Sequence, residues 1–358
     1  MTATPAPVPL DAFFRGKRVL LTGHTGFKGA WLAIWLRQLG AKVGGISLPP
    51  PTEPSIFERA GLGGLIDSHI CDIRDAAALD RVARGFDPEI VLHLAAQPLV
   101  RLSYEAPVET FGTNVMGTVN LLETLRTLPN ARVAVVVTSD KVYRNAEWVY
   151  PYREDDPLGG RDPYSASKAA AEIVTNAYWH SFFQGSKTAV ATARAGNVIG
   201  GGDWSKDRLL PDAIRAWQAG VKLGVRHPGA HRPWQHVLDA LHGYMLLTEA
   251  LWRDPALAGP WNFGPATHET TKVGDVLELA RKAYGGGEIA VAKASPEMHE
   301  AGKLMVESAK ARERLGFAPR WGIEESVRRT MGWYQGLARG ERALALCHAD
   351  IDAFGAAR

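Results

Sequence analysis

The chain has 358 residues and a formal net charge of +3, with 46% hydrophobic and 22% charged residues, as in globular proteins with a sizeable core. The nearly balanced charge gives no reason to expect a nucleic-acid partner, and no apolar run reaches membrane-spanning length, so we expect residence in the cytoplasm. Cys71 and Cys347 lie far apart and outside any metal-ligand motif, so neither a disulfide nor a metal site is expected.

The first half of the chain alternates between strand and helix patterns. Segment 1–14 lacks the basic start and apolar run of a signal peptide and is expected to be a flexible tail. Short apolar runs then alternate with helical periodicity, which predicts an α/β fold with a doubly wound parallel sheet. The predicted strands are 17–22, 42–48, 89–96, 132–138 and 188–196, and the predicted helices are 30–40, 76–86, 106–128 and 165–183.

The composition of the sequence changes after Asn197, where Gly- and Trp-rich stretches predict loops. We therefore predict a first domain over 15–195 and a smaller C-terminal α/β lobe over 196–358 for the substrate, with the chain crossing between the two. Helix candidates in this second part are 208–219, 235–252, 273–284 and 323–338.

A glycine turn joins the first strand to the first helix. Gly23, Gly26 and Gly29 form a GxxGxxG pattern, which permits a tight turn and lets a pyrophosphate approach the backbone at a positive helix N-terminus. Taken alone, the pattern fits a tight strand-to-helix turn equally well.

Three further residues suggest proton chemistry on a hydroxyl group. Tyr164 and Lys168 form YSASK at the start of a predicted helix, one turn apart on the same face. A nearby ammonium favours the phenolate of a tyrosine, which can then accept a proton. Ser139 follows the strand 132–138 and is placed to hydrogen-bond the reacting oxygen, although a serine after a strand commonly caps a turn.

Together the glycine turn, Ser139 and the YxxxK pair resemble the extended short-chain dehydrogenase/reductase family. The resemblance implies a Rossmann fold that binds NAD. It also implies that Tyr164 and Lys168 take part in cofactor binding as well as in catalysis. Ser47 stands where NAD-specific members usually have an acidic residue, and no arginine for a 2′-phosphate replaces it, so the choice of NAD over NADP follows the resemblance. The remaining cofactor residues implied are Gly23, Thr25, Gly26, Phe27, Lys28, Gly29, Ser47, Asp72, Ile73, Leu94, Ala95, Ala96, Gln97 and Asn114.

Asp140 and Lys141 follow Ser139 directly and narrow the resemblance to the nucleotide-sugar 4,6-dehydratases. These enzymes commonly carry Asp-Glu there as an acid–base pair that removes water across C5–C6 of the sugar. Asp-Lys is similar to the subfamily that acts on CDP-glucose, as are the strings RAGNVIGGGDW (194–204) and RPWQHV (232–237). The resemblance implies that Tyr164 accepts the O4 proton while NAD accepts the hydride from C4, that Asp140 protonates the C6 hydroxyl and that Lys141 deprotonates C5.

The resemblance also implies a substrate site and an assembly. Gln97, Asn197, Arg208 and Arg232 are expected to contact the nucleotide sugar, since arginine suits a diphosphate. A homodimer through helices 106–128 and 165–183 is expected. Two alternatives remain open: a dehydratase or 4-epimerase for a dTDP-, UDP- or GDP-sugar, and a non-catalytic dinucleotide sensor.

Overall fold

A parallel sheet lies at the centre of the computed structural model, which describes residues 7–267, 269, 271–292 and 303–357. The strands are β1 Arg18–Thr22, β2 Lys42–Ser47, β3 Asp67–Ile70, β4 Ile90–His93, β5 Val133–Val137, β6 Ala189–Ala195, β7 Val198–Ile199, β8 Leu223–Val225, β9 His231–Arg232, β10 Gln235–His236, β11 Gly259–Phe263, β12 Thr271–Lys272 and β13 Ile289–Val291. Seven of them pair in the order β11-β6-β5-β4-β1-β2-β3. The prediction of a doubly wound, Rossmann-type sheet is confirmed.

Helices cover both faces of this sheet. They are α1 Leu10–Phe14, α2 Phe27–Gln38, α3 Ile56–Arg59, α4 Ala76–Phe86, α5 Val100–Glu105, α6 Pro107–Phe111, α7 Gly117–Thr127, α8 Pro163–Tyr178, α9 Leu209–Gln218, α10 Val237–Arg253, α11 Val273–Tyr284, α12 Ala309–Leu315, α13 Ile323–Ala338 and α14 Ala343–Ala356. In β1, Val19 and Leu21 join the hydrophobic core on one face and Leu20 the core on the other. Burial on both faces explains why the strands read as continuous apolar runs.

The predicted helix 106–128 is interrupted in the structure. Pro107 begins α6, and a π-helical turn, Gly112–Met116, separates it from α7. The glycines at 112 and 117 lower helix propensity there, and the turn contains the buried Asn114, whose side chain reaches a neighbouring loop. The predicted helix 165–183 likewise ends in a π-helical turn, Trp179–Phe183, after α8.

The described part of the N-terminal segment is packed where a flexible tail was expected. Residues 10–14 form α1, and Phe14 is fully buried. The reason is aromatic packing, because the Phe13 ring lies 4.8 Å from that of Phe14 and 5.8 Å from that of Trp252.

The second half of the chain contributes both to the central sheet and to the three small two-stranded sheets. Strand β11 extends the central sheet beside β6, and α10 packs against β5, β6 and α2. The pairs β7–β10, β8–β13 and β9–β12 form three small sheets beside the carboxyl ends of the central strands. Within the part of the chain that the structure describes, no helix is both long and apolar enough to cross a bilayer.

Candidate active site

A cavity of about 1260 Å³ opens at the carboxyl ends of the central strands, where ligands bind in doubly wound sheets. It is lined by all the expected site residues except Asn114, which lies behind the wall. The lining includes Gly23, Thr25, Gly26, Phe27, Lys28, Gly29, Ser47, Asp72, Ile73, Leu94, Ala95, Ala96, Gln97, Ser139, Asp140, Lys141, Tyr164, Lys168, Asn197, Arg208 and Arg232.

The three glycines of the turn have different surroundings. Gly23 has φ +79°, and an added Cβ would lie 2.7 Å from the backbone nitrogen of Ala95. At Gly29 an added Cβ would lie 2.1 Å from the Gly23 carbonyl oxygen, so both positions require glycine for packing. At Gly26 the nearest atom would be that carbonyl oxygen at 3.4 Å. A side chain there would enter the cavity at the N-terminus of α2, a cradle that fits a diphosphate.

The ends of β2 and β3 provide polar groups on one side of this turn. The Ser47 and Thr25 hydroxyl oxygens lie 2.7 Å apart, and Thr25 also donates to the Leu48 carbonyl at 2.9 Å. Asp72 accepts from the Arg74 guanidinium at 2.6 Å, a hydrogen bond that lowers the pKa of the Asp72 carboxyl. An ionised carboxylate beside hydroxyl groups suits the hydroxyl and amino groups of an adenosine.

The wall after β4 is fixed from behind by Asn114. Its Oδ1 accepts from the Gln97 backbone N–H at 2.8 Å, and its Nδ2 donates to the Gln97 carbonyl at 3.1 Å and to the Ser167 hydroxyl at 2.8 Å. This buried amide therefore ties the 94–97 loop to α8, one turn from Tyr164.

The turn after β5 brings Ser139 and Asp140 together. Ser139 Oγ accepts from the Lys141 N–H at 3.2 Å and donates to Asp140 Oδ1 at 3.1 Å, so the serine both caps the turn and faces the cavity. Burial raises the pKa of the Asp140 carboxyl. The charges of Lys141, Arg232 and Lys28 and the Ser139 hydrogen bond lower this pKa, but burial has the larger effect. A raised pKa suits a carboxyl that donates a proton.

Tyr164 is set in place at the start of α8. Asp162 caps that helix by accepting from the Ser165 N–H at 2.8 Å, and the Tyr164 N–H donates to Ser103 Oγ at 3.1 Å. Burial raises the pKa of the Tyr164 hydroxyl, while a hydrogen bond with Ser139 and the charge of Arg208 lower it.

Lys168 lies one helical turn after Tyr164 on α8, and its side chain is buried. Its Nζ donates to the Val137 carbonyl at 3.1 Å, and burial lowers the pKa of Lys168 to about 8. The charge of Arg208 also lowers the pKa of the Tyr164 hydroxyl.

Behind Lys168 lies a buried polar network that the sequence did not indicate. Glu172, one helical turn further along α8, accepts from Arg194 Nη2 at 2.8 Å, from Thr192 Oγ1 at 2.6 Å and from the Thr138 hydroxyl. Its charge raises the pKa of Lys168. A lone Glu in a helix carries no sequence signal for this role, since its partners come from other strands.

Gly196 is a second residue that sequence reasoning missed. An added Cβ would lie 2.9 Å from Asp140 Oδ2, so this glycine leaves the space that the carboxylate occupies. It lies within the quoted string RAGNVIGGGDW, but only the fold brings it beside Asp140.

Three of the expected substrate residues line the cavity from the part of the chain that follows β6. Arg208 precedes α9, and its Nη2 lies 3.4 Å from the Pro98 carbonyl; Arg232 lies in β9 and donates to the His231 carbonyl at 3.0 Å. Asn197 precedes β7, and its carbonyl accepts from the Gln235 N–H at 3.1 Å. His236, by contrast, is fully buried between Trp31 and Trp321, as a packing residue.

Comparison with known proteins places this site in a family. The family model described as GDP-mannose 4,6 dehydratase matches residues 20–330. A CDP-glucose 4,6-dehydratase of Salmonella typhimurium is 46% identical over 345 residues, covering 95% of this chain and 96% of the relative. A dTDP-glucose 4,6-dehydratase of Xanthomonas campestris is 27% identical, covering 88% of this chain and 92% of the relative.

A solved structure has the same architecture. The Thermus thermophilus UDP-glucose 4-epimerase, crystallised in complex with NAD, aligns with a TM-score of 0.78 and 26% identity. The alignment covers 89% of this chain and 99% of that one.

Proposed function

Since this chain belongs to the GDP-mannose 4,6-dehydratase family, we propose that it is a hydro-lyase that converts CDP-D-glucose to CDP-4-dehydro-6-deoxy-D-glucose and water. The observation that carries the proposal is the convergence of Ser139, Asp140, Lys141 and Tyr164 on one cavity beside the glycine turn. The first three supply an oxygen-binding hydroxyl and an acid–base pair, and the fourth accepts a proton.

NAD is the proposed cofactor, and the cavity has groups that suit its parts. The turn with Gly26 would hold the diphosphate, Asp72 and Ile73 the adenine, and Ser47 with Thr25 the ribose. Residues 94–97, backed by Asn114, would form the wall, and Lys168 would bind the second ribose. When bound, NAD would supply the hydride acceptor for C4 of the sugar and the hydride donor for C6.

The protein's own groups move the protons. Tyr164 accepts the O4 proton as C4 becomes a ketone, and Ser139 hydrogen-bonds that oxygen. The ketone makes the C5 hydrogen acidic, so oxidation must precede elimination. Asp140 protonates the departing C6 hydroxyl, and Lys141, as a neutral amine or through a water, removes the C5 proton and later returns one.

Substrate binding and assembly complete the proposal. Arg208 and Arg232 would bind the substrate diphosphate, with Asn197 and Gln97 nearer the sugar. Residues 15–195 would bind mainly the dinucleotide and 196–358 mainly the nucleotide sugar. We further propose a cytoplasmic homodimer whose product enters deoxysugar biosynthesis, such as that for O-antigen.

Incubation of the purified protein with NAD and CDP-, dTDP-, GDP- or UDP-glucose tests the function directly. We expect a 4-keto sugar product with loss of water from CDP-glucose, and little from the other three. Product from another nucleotide sugar alone would reassign the base. A C4 epimer without loss of water would make the protein an epimerase, and dinucleotide binding without turnover would make it a sensor.

A further inference from the structure

Arg194 and Glu172 form an ion pair in the protein interior to which the proposed mechanism gives no task. Arg194 lies on β6 and Glu172 on α8, their charged groups are 2.8 Å apart, and each side chain is only 3% exposed. Both residues lie outside the lining of the cavity. Burial of charges is costly unless they are paired and hydrogen-bonded, so the partners of this pair indicate what it holds in place.

Each member of the pair holds one end of the segment that carries the catalytic turn. Glu172 accepts a hydrogen bond from the hydroxyl of Thr138, the residue before Ser139. Arg194 Nη1 donates to the Tyr143 hydroxyl at 2.8 Å, and the guanidinium carbon lies 5.0 Å from the centre of that ring. The three proposed catalytic residues that follow β5 therefore lie between two anchored positions.

Tyr143 is also held from its other side. Its hydroxyl donates to Asn262 Oδ1, on β11, at 2.7 Å. The Asn262 side-chain amide in turn donates to the carbonyls of Tyr152 and Glu307 at 2.9 and 3.1 Å. The Tyr143 hydroxyl thus accepts from Arg194 and donates to Asn262, and its position is fixed by side chains of two neighbouring central strands.

Glu172 connects the same segment to the helix of Tyr164 and Lys168. It lies one helical turn after Lys168 and two turns after Tyr164 on α8. Its second carboxylate oxygen accepts from Arg194 and, at 2.6 Å, from Thr192 Oγ1, so one carboxylate joins α8 to β6 and to the end of β5. The ion pair therefore helps to set the distance between the turn after β5 and the Tyr164 hydroxyl.

We propose that Arg194 is a positioning residue whose ion pair with Glu172 keeps the catalytic turn after β5 in register with Tyr164 and Lys168. The inference rests on the proposed function. C4 oxidation and C5–C6 elimination both use groups of that turn, so loosening the pair slows both half-reactions together. The diphosphate of NAD would be held at the glycine turn between β1 and α2, whereas the hydrogen bonds of the pair lead to β5, β6 and β11.

Arg194→Lys tests this role because lysine keeps the buried charge but replaces a planar fork of donors with a single amine. The amine can pair with Glu172 but cannot also bind the Tyr143 hydroxyl. Steady-state rates are measured with the nucleotide sugar that wild type converts, NAD affinity by calorimetry, and reduced-nicotinamide formation and C5 hydrogen exchange in single turnovers. Because a displacement of 1 Å can slow a reaction about 10²-fold, we expect a fall in kcat of that order. Both single-turnover rates should fall together, with KM and NAD affinity close to wild type.

A second variant and a control accompany this test. Tyr143→Phe removes only the hydroxyl between Arg194 and Asn262 and keeps the ring, and we expect the same pattern from it, also if Arg194→Lys does not fold. Glu249→Gln removes the charge of another buried carboxylate, which pairs with Arg253 on α10 outside the cavity. This control should lower thermal stability and leave kcat unchanged.

Three results would contradict the positioning role. An unchanged kcat in folded Arg194→Lys, or in Tyr143→Phe, would overturn it. So would a loss of NAD affinity as large as the loss of kcat, which indicates a general disturbance of the fold, or a selective loss of elimination with normal oxidation. A wild-type protein that converts no nucleotide sugar would instead refute the proposed function on which the inference rests.

Discussion

At the scale of single residues, burial sets the protonation states that the chemistry needs. It raises the pKa of both Asp140 and Tyr164, so the acid is ready to donate while the tyrosine needs positive charge to become a base. The charge of Arg208 lowers the pKa of Tyr164, and a bound oxidised cofactor would add positive charge nearby.

Replacing the Tyr164 hydroxyl tests this assignment. We expect Tyr164→Phe to abolish turnover of CDP-glucose while NAD binding, measured by calorimetry, stays close to wild type, because the hydroxyl is needed for proton removal and not for holding the dinucleotide. Tyr104→Phe, outside the cavity, is the matched control and should retain full activity. A near-normal rate in Tyr164→Phe would exclude Tyr164 as the base.

Substitution of Lys141 tests C4 oxidation and C5–C6 elimination separately. In Lys141→Ala, Ser139, Tyr164 and Lys168 remain able to oxidise C4, while C5 deprotonation slows by about 10²–10⁴-fold, the usual contribution of a general base. In single-turnover experiments we expect reduced-nicotinamide absorbance to rise and persist, with slowed exchange of the C5 hydrogen in deuterated water. Lys141→Arg should show the same defect, because arginine keeps the charge but cannot act as a neutral base.

The competing structural role for Lys141 gives different results. If it only holds Asp140 or the turn in place, Lys141→Ala loses both half-reactions or substrate binding, without accumulation of reduced nicotinamide, and Lys141→Arg restores activity. Product formation by Lys141→Ala at nearly the wild-type rate would refute the proposed mechanism at its most specific step.

At the scale of elements, the glycine turn and α2 form one unit that the sequence predicts well. Local spacing is enough there, because the strand, turn and helix are consecutive and Gly26 and Gly29 both lie against Gly23 in the same turn. The network of Glu172 with Arg194 shows the opposite case, since its members come from α8 and β6 and only the folded sheet joins them. Strand β11 was also not predicted, because GPWNF is short and begins with a glycine and a proline.

Gly26→Val tests whether the turn binds a diphosphate or only packs. The added side chain would meet little protein and would occupy the cavity instead, so we expect weaker NAD binding by calorimetry with little change in thermal stability. Gly64→Val, at an exposed glycine with open space around it, is the matched control and should bind NAD normally. Unchanged affinity in Gly26→Val would make the glycine purely structural.

At the scale of the whole molecule, the doubly wound parallel sheet was predictable from alternating strands and helices, but the extent of the lobes was not. Strand β11 and helix α10 return from the second half to complete the central sheet and its cover. Sequence reasoning follows neighbours along the chain, whereas this arrangement depends on packing between segments more than 60 residues apart. The exposed surface could not be predicted either, because the exposure of a side chain depends on how distant segments pack in the fold.

An apolar surface on α6, α8 and the π-helical turns carries the last prediction, the proposed homodimer. Its exposed members are Val108, Phe111, Met116, Ile173 and Phe182, with Val108 85% and Ile173 58% exposed. Helices α6 and α7 and both π-helical turns contact α8, so these side chains lie on neighbouring elements. A two-fold axis through them would bury the same surface on both subunits, which an exposed apolar patch favours.

Substitution with a charge at the centre of this surface tests the dimer. In size-exclusion chromatography with light scattering, we expect the wild-type protein to have twice the mass of one chain. We expect Ile173→Glu to be a monomer, because burying an unpaired carboxylate on each side of the two-fold axis is costly. Val221→Glu, at an apolar residue 56% exposed elsewhere, is the matched control and should remain dimeric. A monomeric wild type would refute the dimer. If Ile173→Glu stayed dimeric with an unchanged dissociation constant, the subunits would have to meet through another surface, because a carboxylate at this position could not be accommodated on the axis without weakening the contact.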